Sequence, residues 1–417
     1  MAQLSDDCFA HGGRLMSVDE ALALLAARVA CVAKTETVPL GQALERVLAA
    51  DVVAGRDVPP HDNSAVDGYA LAFDGLAPAG ETRLRIAGRA AAGHPLAAPL
   101  APGAAARIFT GAVMPAGADT VMMQEDCRIE DETVVIRPGL KRGANRRKAG
   151  EDVRAGSTIL RAGRRLRPQD LGLAASTGLT ALPLRKPLRV AVFSTGDELR
   201  EPGAPTPPGT VYDANRFTLA ALLQRLGCAV ADLGILPDRA GVIAEALGAA
   251  AGRHDAIITS GGVSTGDEDH VRAVLEARGS LHFWRLAIKP GRPIACGQIG
   301  TTPFLGLPGN PVAMMVTFLR FARPLLLHLM GSSETDPVLY RVRADFAHKK
   351  REGRREWVRA RLVPDGRGGM MAQKFPRDGA GILSSMVESD GLAELPESLT
   401  ELERGSMVDF LPFSEVS

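Results

Sequence analysis

Residues 255–269 read DAIITSGGVSTGDED. Ala256, Ile257, Ile258 and Thr259 form a short apolar, β-branched run, the composition of a buried strand. Ser260, Gly261 and Gly262 break it, and a polar, acidic turn then leads into a helical pattern after Asp269. A strand that ends in small residues and feeds a helix marks where α/β proteins bind ligands, outside the carboxyl ends of the strands. Glycines let backbone approach a ligand, and successive N–H groups in such a turn hold anions. The carboxylates just beyond suit a hard cation such as Mg²⁺, which takes carboxylate and phosphate oxygens. The same loop also reads as an ordinary β-to-α turn, so its meaning rests on its neighbours.

Working outward, Leu188 to Gly331 alternates strands and helices, the pattern of a mostly parallel sheet with helices on both faces. Strands are predicted over Leu188–Phe193, Val230–Leu236, Ala256–Thr259, Phe283–Ile288 and Phe304–Leu307. Helices are predicted over Asn215–Leu226, closed by Gly227, over Arg239–Ala251, and from Pro311 to Met330. Four loops leave strand ends: STGDE (194–198), SGGVSTGDED (260–269), KPGRP (289–293) and GLPGNP (306–311). Together they supply the carboxylates Asp197, Glu198, Asp267, Glu268 and Asp269, the cations Lys289 and Arg292, and glycine-rich backbone. Because such loops converge on one edge of a doubly wound sheet, this chemistry suits a phosphorylated ligand and a metal.

A chain of 417 residues is too long for one ordinary domain. A capping box at Ser17 and Glu20 opens a helix whose apolar stripe is Val18, Ala21, Leu22, Leu25 and Val29; residues 1–13 read as a disordered leader. A second helical stretch is expected over Gly41–Ala49, and another over Leu166–Leu179 with Pro168 in its first turn, packing back on the first to make a discontinuous N-terminal helical domain (14–56 plus 154–185). Leu182–Pro187 reads as a linker. Between them, short β-like runs alternate with Gly, Pro and Ala clusters and predict an inserted β-rich domain (57–153). It contains the polar loop DVPPHDNSAVDGYA (57–70), Thr110-Gly111 directly after a strand, and a basic run, Lys141–Arg154, that reads first as a solvated face. The α/β domain spans 186–331, and regularly spaced short strands predict a C-terminal β-barrel-like domain over 332–417.

Several function classes are disfavoured. The net charge of +1 gives no general reason to expect nucleic acid or an anionic membrane as partner. The few aromatic residues make base stacking a poor recognition mode. Five scattered cysteines without a CxxC pair point away from a disulfide framework or structural zinc and towards a reducing, cytoplasmic compartment. The longest apolar stretch, Pro311–Met330, carries Arg320, Arg323 and Pro324, which reads as a core helix rather than a membrane span.

With these loops in place, the chain resembles the molybdopterin molybdenumtransferase family of molybdenum cofactor biosynthesis, and the related E domain of gephyrin. The matching segments, in family order, are PPHDNSAVDGYA (59–70), FTGAVMPAGADTVMMQED (109–126), GEDVRAG (150–156), VAVFSTGDEL (190–199), VYDANR (211–216), IITSGGVSTGDED (257–269), WRLAIKPGRP (284–293) and GLPGNPVA (306–313). The resemblance implies a four-domain homodimer that takes adenylylated molybdopterin and molybdate, uses Mg²⁺, releases AMP and places the oxyanion on the dithiolene sulfurs. It implies catalytic roles for Asp67, Thr110, Glu198, Asp238, Asp269 and Lys289. It places the pterin and its phosphate on Ser260, Gly261, Gly262, Ser264, Arg285, Arg292, Pro308 and Pro311, and the metal on Glu198, Asp269 and Asp152. The site would lie between the α/β domain of one subunit and the inserted domain of the other, with molybdopterin adenylyltransferase as a transient partner. Arg285 stands where the family usually has Lys, which keeps the charge but substitutes a planar fork for a point charge. The motif GVSTGD stands for the relatives' GVSVGE, and MMQE for VMQE. The alternatives are an adenylyltransferase, which shares the α/β domain but usually lacks the other three, and a non-catalytic molybdopterin-binding scaffold, for which no fused clustering segment is seen.

Overall fold

The computed structural model describes residues 15–261, 270–291 and 293–416. The expected leader therefore lies outside the described residues, as do Gly262, Ser264, Asp269 and Arg292.

The α/β portion is a six-stranded mixed sheet in the order Ala229–Leu236, Arg189–Thr195, Ala256–Ser260, Thr302–Leu307, Pro293–Ile299, Gly279–Arg285. The first four strands are parallel and the last two run antiparallel to their neighbours. Helices Asn215–Leu226, Ala240–Ala251 and His270–Arg278 cover the faces. Gly227 closes the first with a left-handed φ of 92°, the conformation a residue bearing Cβ resists. The expected strand at Phe283–Ile288 is shifted: it begins at Gly279 and returns through Pro293–Ile299, a strand not expected from sequence. The apolar stretch 311–330 runs as Pro311–Thr317, a π segment Phe318–Ala322, and Arg323–Met330. It is long and apolar enough to cross a membrane, yet most of it is buried inside the protein. Its Leu325, Leu326 and Leu329 are fully inaccessible, each burial contributing about 1.5–3 kcal/mol.

The first helix, Val18–Arg28, is capped as its sequence demands. Ser17 N–H donates to Glu20 Oε2 (2.8 Å) and Glu20 N–H to Ser17 Oγ (3.1 Å). Its buried Val18 and Ala21 join the core beneath helix 311–330. The helix expected at Gly41–Ala49 does not form. Only Leu40–Gln42 makes a 3₁₀ turn, Glu45 takes φ 62°, and Val47 and Leu48 make isolated bridges to Arg165 and Leu184. A non-glycine residue in the left-handed region ends any helix there, and cross-chain pairing takes up the backbone groups instead. Nor is 182–187 a linker: Ala181–Arg185 alternates buried and half-buried residues and pairs antiparallel with Thr35–Pro39. Val52–Val53 likewise pairs with Thr158–Leu160. With helix Pro168–Ser176 these segments close one small core of Val38, Leu48, Leu160, Leu166 and Leu184.

The intervening segment folds as a second six-stranded sheet, with Gly68–Leu71 between Thr120–Met123 and Ala104–Ile108. Beyond 331 the strands Arg355–Pro364, Met370–Lys374, Tyr340–Ala344, Met407–Pro412 and Gly391–Leu395 pair in sequence around a closed barrel. Closure removes the free edges that would otherwise invite aggregation. One more strand enters that sheet from the α/β portion: Ile288–Lys289 pairs parallel with Arg355 and Glu356.

Candidate active site

The carboxyl ends of the parallel strands meet as the sequence predicts. Gly261, at φ 83°, donates its N–H to Leu307 O (3.0 Å). A Cβ on Gly309 would stand 3.7 Å from the Gly261 Cα, so the two glycines let their loops pack backbone against backbone. Ser260 Oγ donates to Pro308 O (3.1 Å) and accepts from Asn215 Nδ2 (2.8 Å), which also donates to Gly309 O (2.6 Å). The Ser260 hydroxyl and the Gly261 N–H are thus both committed to joining the two loops. Asn215, which lies in the VYDANR segment without a role legible from the sequence, is the residue that ties the loops. Pro311 is the first residue of its helix behind Asn310, where a missing N–H costs nothing. Asp238 precedes Arg239, the N-cap of its helix, and accepts from Thr195 Oγ1 (3.5 Å), bridging two strand ends.

Glu198 follows three residues after Thr195. Its carboxylate folds back over Gly196, where a Cβ would meet Oε2 at 2.5 Å, so a side chain at 196 would push the carboxylate away. The exposed carboxylate makes no hydrogen bond or ion pair among the described residues. The loop that carries it is braced from below. Arg216, buried in the first turn of its helix, bonds Asp213 Oδ2 (3.0 Å), Glu201 Oε2 (2.5 Å) and Asp232. Burial works against its charge, but the three carboxylates outweigh that and raise its pKa.

In the inserted sheet, Thr110 donates both its N–H and its hydroxyl to Asp67 Oδ1, each at 2.8 Å. Cross-strand register explains the meeting: Gly68 faces Ile108, so Asp67 and Thr110 flank paired strand ends. The Thr110 N–H and then its hydroxyl hold the Asp67 carboxyl below the usual carboxylate range, with Arg107 adding a smaller push. Arg107 is itself held between the rings of Tyr69 (5.1 Å) and Phe109 (4.7 Å). Replacing Thr110 by Val removes one of the two bonds that favour the ionised form. Asp67 then titrates higher, so the acid limb of any Asp67-dependent activity is expected to move to higher pH, read from kcat against pH. An unmoved limb would remove Asp67 from the titrating machinery.

Sequence reasoning missed a further cavity. Between the KPGRP loop and the barrel lies a pocket of about 330 Å³. Lys289, His348, Arg354, Arg359 and Lys374 line it, opposed by Glu356 and Asp378. Burial pushes the Arg359 guanidinium below its ordinary value, and its Nη2 donates only to Arg377 O (3.0 Å). Gly291 packs against Thr317 and Ala313 of the long helix, and Ala380 O accepts from Val312 N (3.0 Å). The pocket wall therefore rests on the first turns of the helix that follows the GLPGNP loop. No local pattern announces it, because its two walls lie some 60 residues or more apart in the chain.

Among the described residues no hydrogen bond or ion pair links Asp67 or Thr110 to the strand-end loops of the same chain. Asp152 is exposed at the base of the inserted sheet, its N–H on Val58 O (3.0 Å), and is not brought to Glu198. The described residues contain no group of three or more His, Cys, Asp or Glu that could hold a metal. Arg285 ends the outermost strand, and its side chain lies outside the described residues.

Family models match in chain order: one described as the MoeA N-terminal region (domain I and II) over 16–178, one as a probable molybdopterin binding domain over 191–328, and one as the MoeA C-terminal region (domain IV) over 341–413. A molybdopterin molybdenumtransferase of Haemophilus influenzae is 37% identical over 404 residues, covering 96% of this chain and 100% of that protein. Another, of a Nostoc species, is 36% identical over 390 residues, covering 90% and 88%. The crystal structure of a molybdopterin biosynthesis protein, moeA, from Pyrococcus horikoshii OT3 covers 96% of this chain and 100% of its own, with TM-score 0.83 and 29% identity.

Proposed function

Since this chain belongs to the molybdopterin molybdenumtransferase family, we propose that it inserts molybdate into adenylylated molybdopterin, releasing AMP and forming molybdenum cofactor. The observation that carries this reading is the meeting of the strand-end loops, where Asn215, Ser260, Gly261 and Gly309 come together next to Thr195, three residues before Glu198. The backbone of the glycine-rich loop 260–264 is the element proposed for the pterin phosphate, and the pocket lined by Lys289, Arg354, Arg359 and Lys374 suits a tetrahedral dianion, the form of molybdate at neutral pH.

Mg²⁺ fits this donor set. It seldom sits in an all-protein cage and is held by one or two carboxylates together with substrate phosphate oxygens. Glu198 offers an exposed carboxylate with no competing partner among the described residues, and Asp269 and Asp238 are the carboxylates proposed to join or orient it. When bound, the ion supplies charge that stabilises the leaving phosphate. The chain's own contributions are to hold the phosphates on backbone N–H groups, to orient the anhydride, and to present Lys289 to the oxyanion.

Asp67 and Thr110 form a second pre-ordered pair, with no bond to a strand-end loop among the described residues of their own chain. A homodimer whose inserted sheet faces the α/β cradle of the other subunit would complete the site, and Asp152 would approach the metal from that side. Mixing inactive Asp67→Asn and Glu198→Gln proteins, with subunit exchange, is then expected to restore about a quarter of the wild-type rate. Half of the random dimers are mixed, and each holds one intact site. No recovery after verified exchange would place the whole site in one chain. Free thiols at Cys228 and Cys296 suit a cytoplasmic enzyme, supplied by an adenylyltransferase as transient partner. The discriminating assay offers the protein either adenylylated molybdopterin with Mg²⁺ and molybdate, or molybdopterin with ATP. Turnover of the first alone is expected; adenylylation of molybdopterin would move the chain to the preceding step.

A further inference from the structure

We infer that Glu356, on the C-terminal barrel, is a positioning residue that sets the ammonium of Lys289 for the oxyanion. The inference rests on the reading above that Lys289 serves the reaction. Lys289 lies directly opposite Glu356 in a parallel pairing, and Arg355 N–H donates to Ala287 O (2.8 Å). The lysine loop, although it leaves the α/β sheet, is therefore built into the barrel by backbone bonds.

The side chains repeat the arrangement. Glu356 is 2% exposed, and its Oε2 accepts from Lys289 Nζ (3.2 Å) and lies 3.1 Å from His348 Nε2. Arg354 Nη2 stands 3.7 Å from Oε1, which has no hydrogen bond of its own. The Lys289 side chain is 55% exposed, with four rotatable bonds and nothing else among the described residues to fix its end. The anchor is rigid and the cation is loose, so the bond between them decides where the ammonium points. A carboxylate in a pocket for a dianion repels that dianion. Its presence is explained when it is directed at the lysine and the histidine, with Lys374 paired to Asp378 (3.1 Å) on the opposite wall. The barrel thus acts on the reaction through Lys289 without its carboxylate touching substrate.

The test is a cycle of Lys289→Ala, Glu356→Gln and the double variant, assayed for kcat and for KM towards molybdate with adenylylated molybdopterin and Mg²⁺. Glu356→Gln is expected to lower kcat roughly tenfold, the scale of a misplaced group. KM for molybdate should stay level or fall, because the pocket loses a negative charge. The double variant should be no slower than Lys289→Ala alone, since Glu356 acts through the lysine. Losses that multiply, or a Glu356→Gln kcat within twofold of wild type while Lys289→Ala is impaired, overturn the inference and leave the Lys289 assignment standing. A fully active Lys289→Ala overturns that assignment and the inference with it. Should Glu356→Gln fail to fold, Glu356→Asp decides: it keeps the charge but withdraws it by one methylene, and an unchanged kcat overturns the inference.

Discussion

Glu198→Gln is expected to lower AMP release from adenylylated molybdopterin by roughly 10²–10³-fold while leaving the fold untouched. The rate estimate follows from removing one pre-placed charge aimed at a reacting phosphate, an effect of that order where electrostatic groups have been deleted. The stability expectation follows from the local geometry. Glu198 is exposed, and its carboxylate has no hydrogen bond or ion pair among the described residues; only its backbone carbonyl is used, by Val211 N–H (2.8 Å). Glutamine is isosteric, so Gly196 beneath it is undisturbed. Surface changes of this kind usually stay within about 0.5 kcal/mol. Raising Mg²⁺ should recover part of the rate if the carboxylate is a metal ligand. Wild-type AMP release by a folded Glu198→Gln protein would remove this residue from the chemistry.

The second large effect concerns stability. Arg216→Met is expected to destabilise the α/β portion by roughly 3–5 kcal/mol, the range for stranding one partner of a buried ion pair. The reason lies in the partners rather than in the arginine. Asp232 and Glu201 are substantially exposed and regain water, but Asp213 is 2% exposed and is left charged in the interior. It loses Arg216 Nε at 3.0 Å and keeps only the backbone N–H of residue 216, at 3.2 Å, as a partner from that residue. Adding Asp213→Asn to the variant should return part of the loss, because the stranded charge is gone. Denaturant unfolding followed by a probe of the α/β portion measures both. A single variant within about 1 kcal/mol of wild type would mean that the network is not what holds this loop.

Much of this site could be read before any coordinates, and the reason is local. Strand-end loops such as 194–198, 260–261 and 306–311 declare themselves by composition, because glycine, proline and carboxylates cluster where backbone turns and ligands approach. Capping at Ser17 and Glu20 and the stop at Gly227 are short-range too, and both form as expected. The failures are non-local. Residues 41–49 carry a helical pattern, but Val47 and Leu48 are claimed by bridges to Arg165 and Leu184, more than a hundred residues away. Residues 181–185 pass for a linker until Thr35–Pro39 supplies their partner strand. Ile288–Lys289 belongs to the barrel only because Arg355 and Glu356 lie beside it. The basic pocket has the same origin: Lys289 stands in a conspicuous KPGRP motif, whereas Arg359, Lys374 and Glu356 sit in strands that look unremarkable one at a time. Asp67 and Thr110 show the opposite case, two motifs far apart in sequence that cross-strand register joins through a pair of 2.8 Å bonds.

The measurement that tests the central claim most directly is the stoichiometry of AMP release against cofactor formed, followed while molybdate is titrated into purified protein with adenylylated molybdopterin and Mg²⁺. The account predicts that release is slow without molybdate, rises to saturation with it, and yields one cofactor for each AMP. Release that ignores molybdate, or that runs without cofactor appearing, would contradict a transferase and leave a hydrolase or a binding protein.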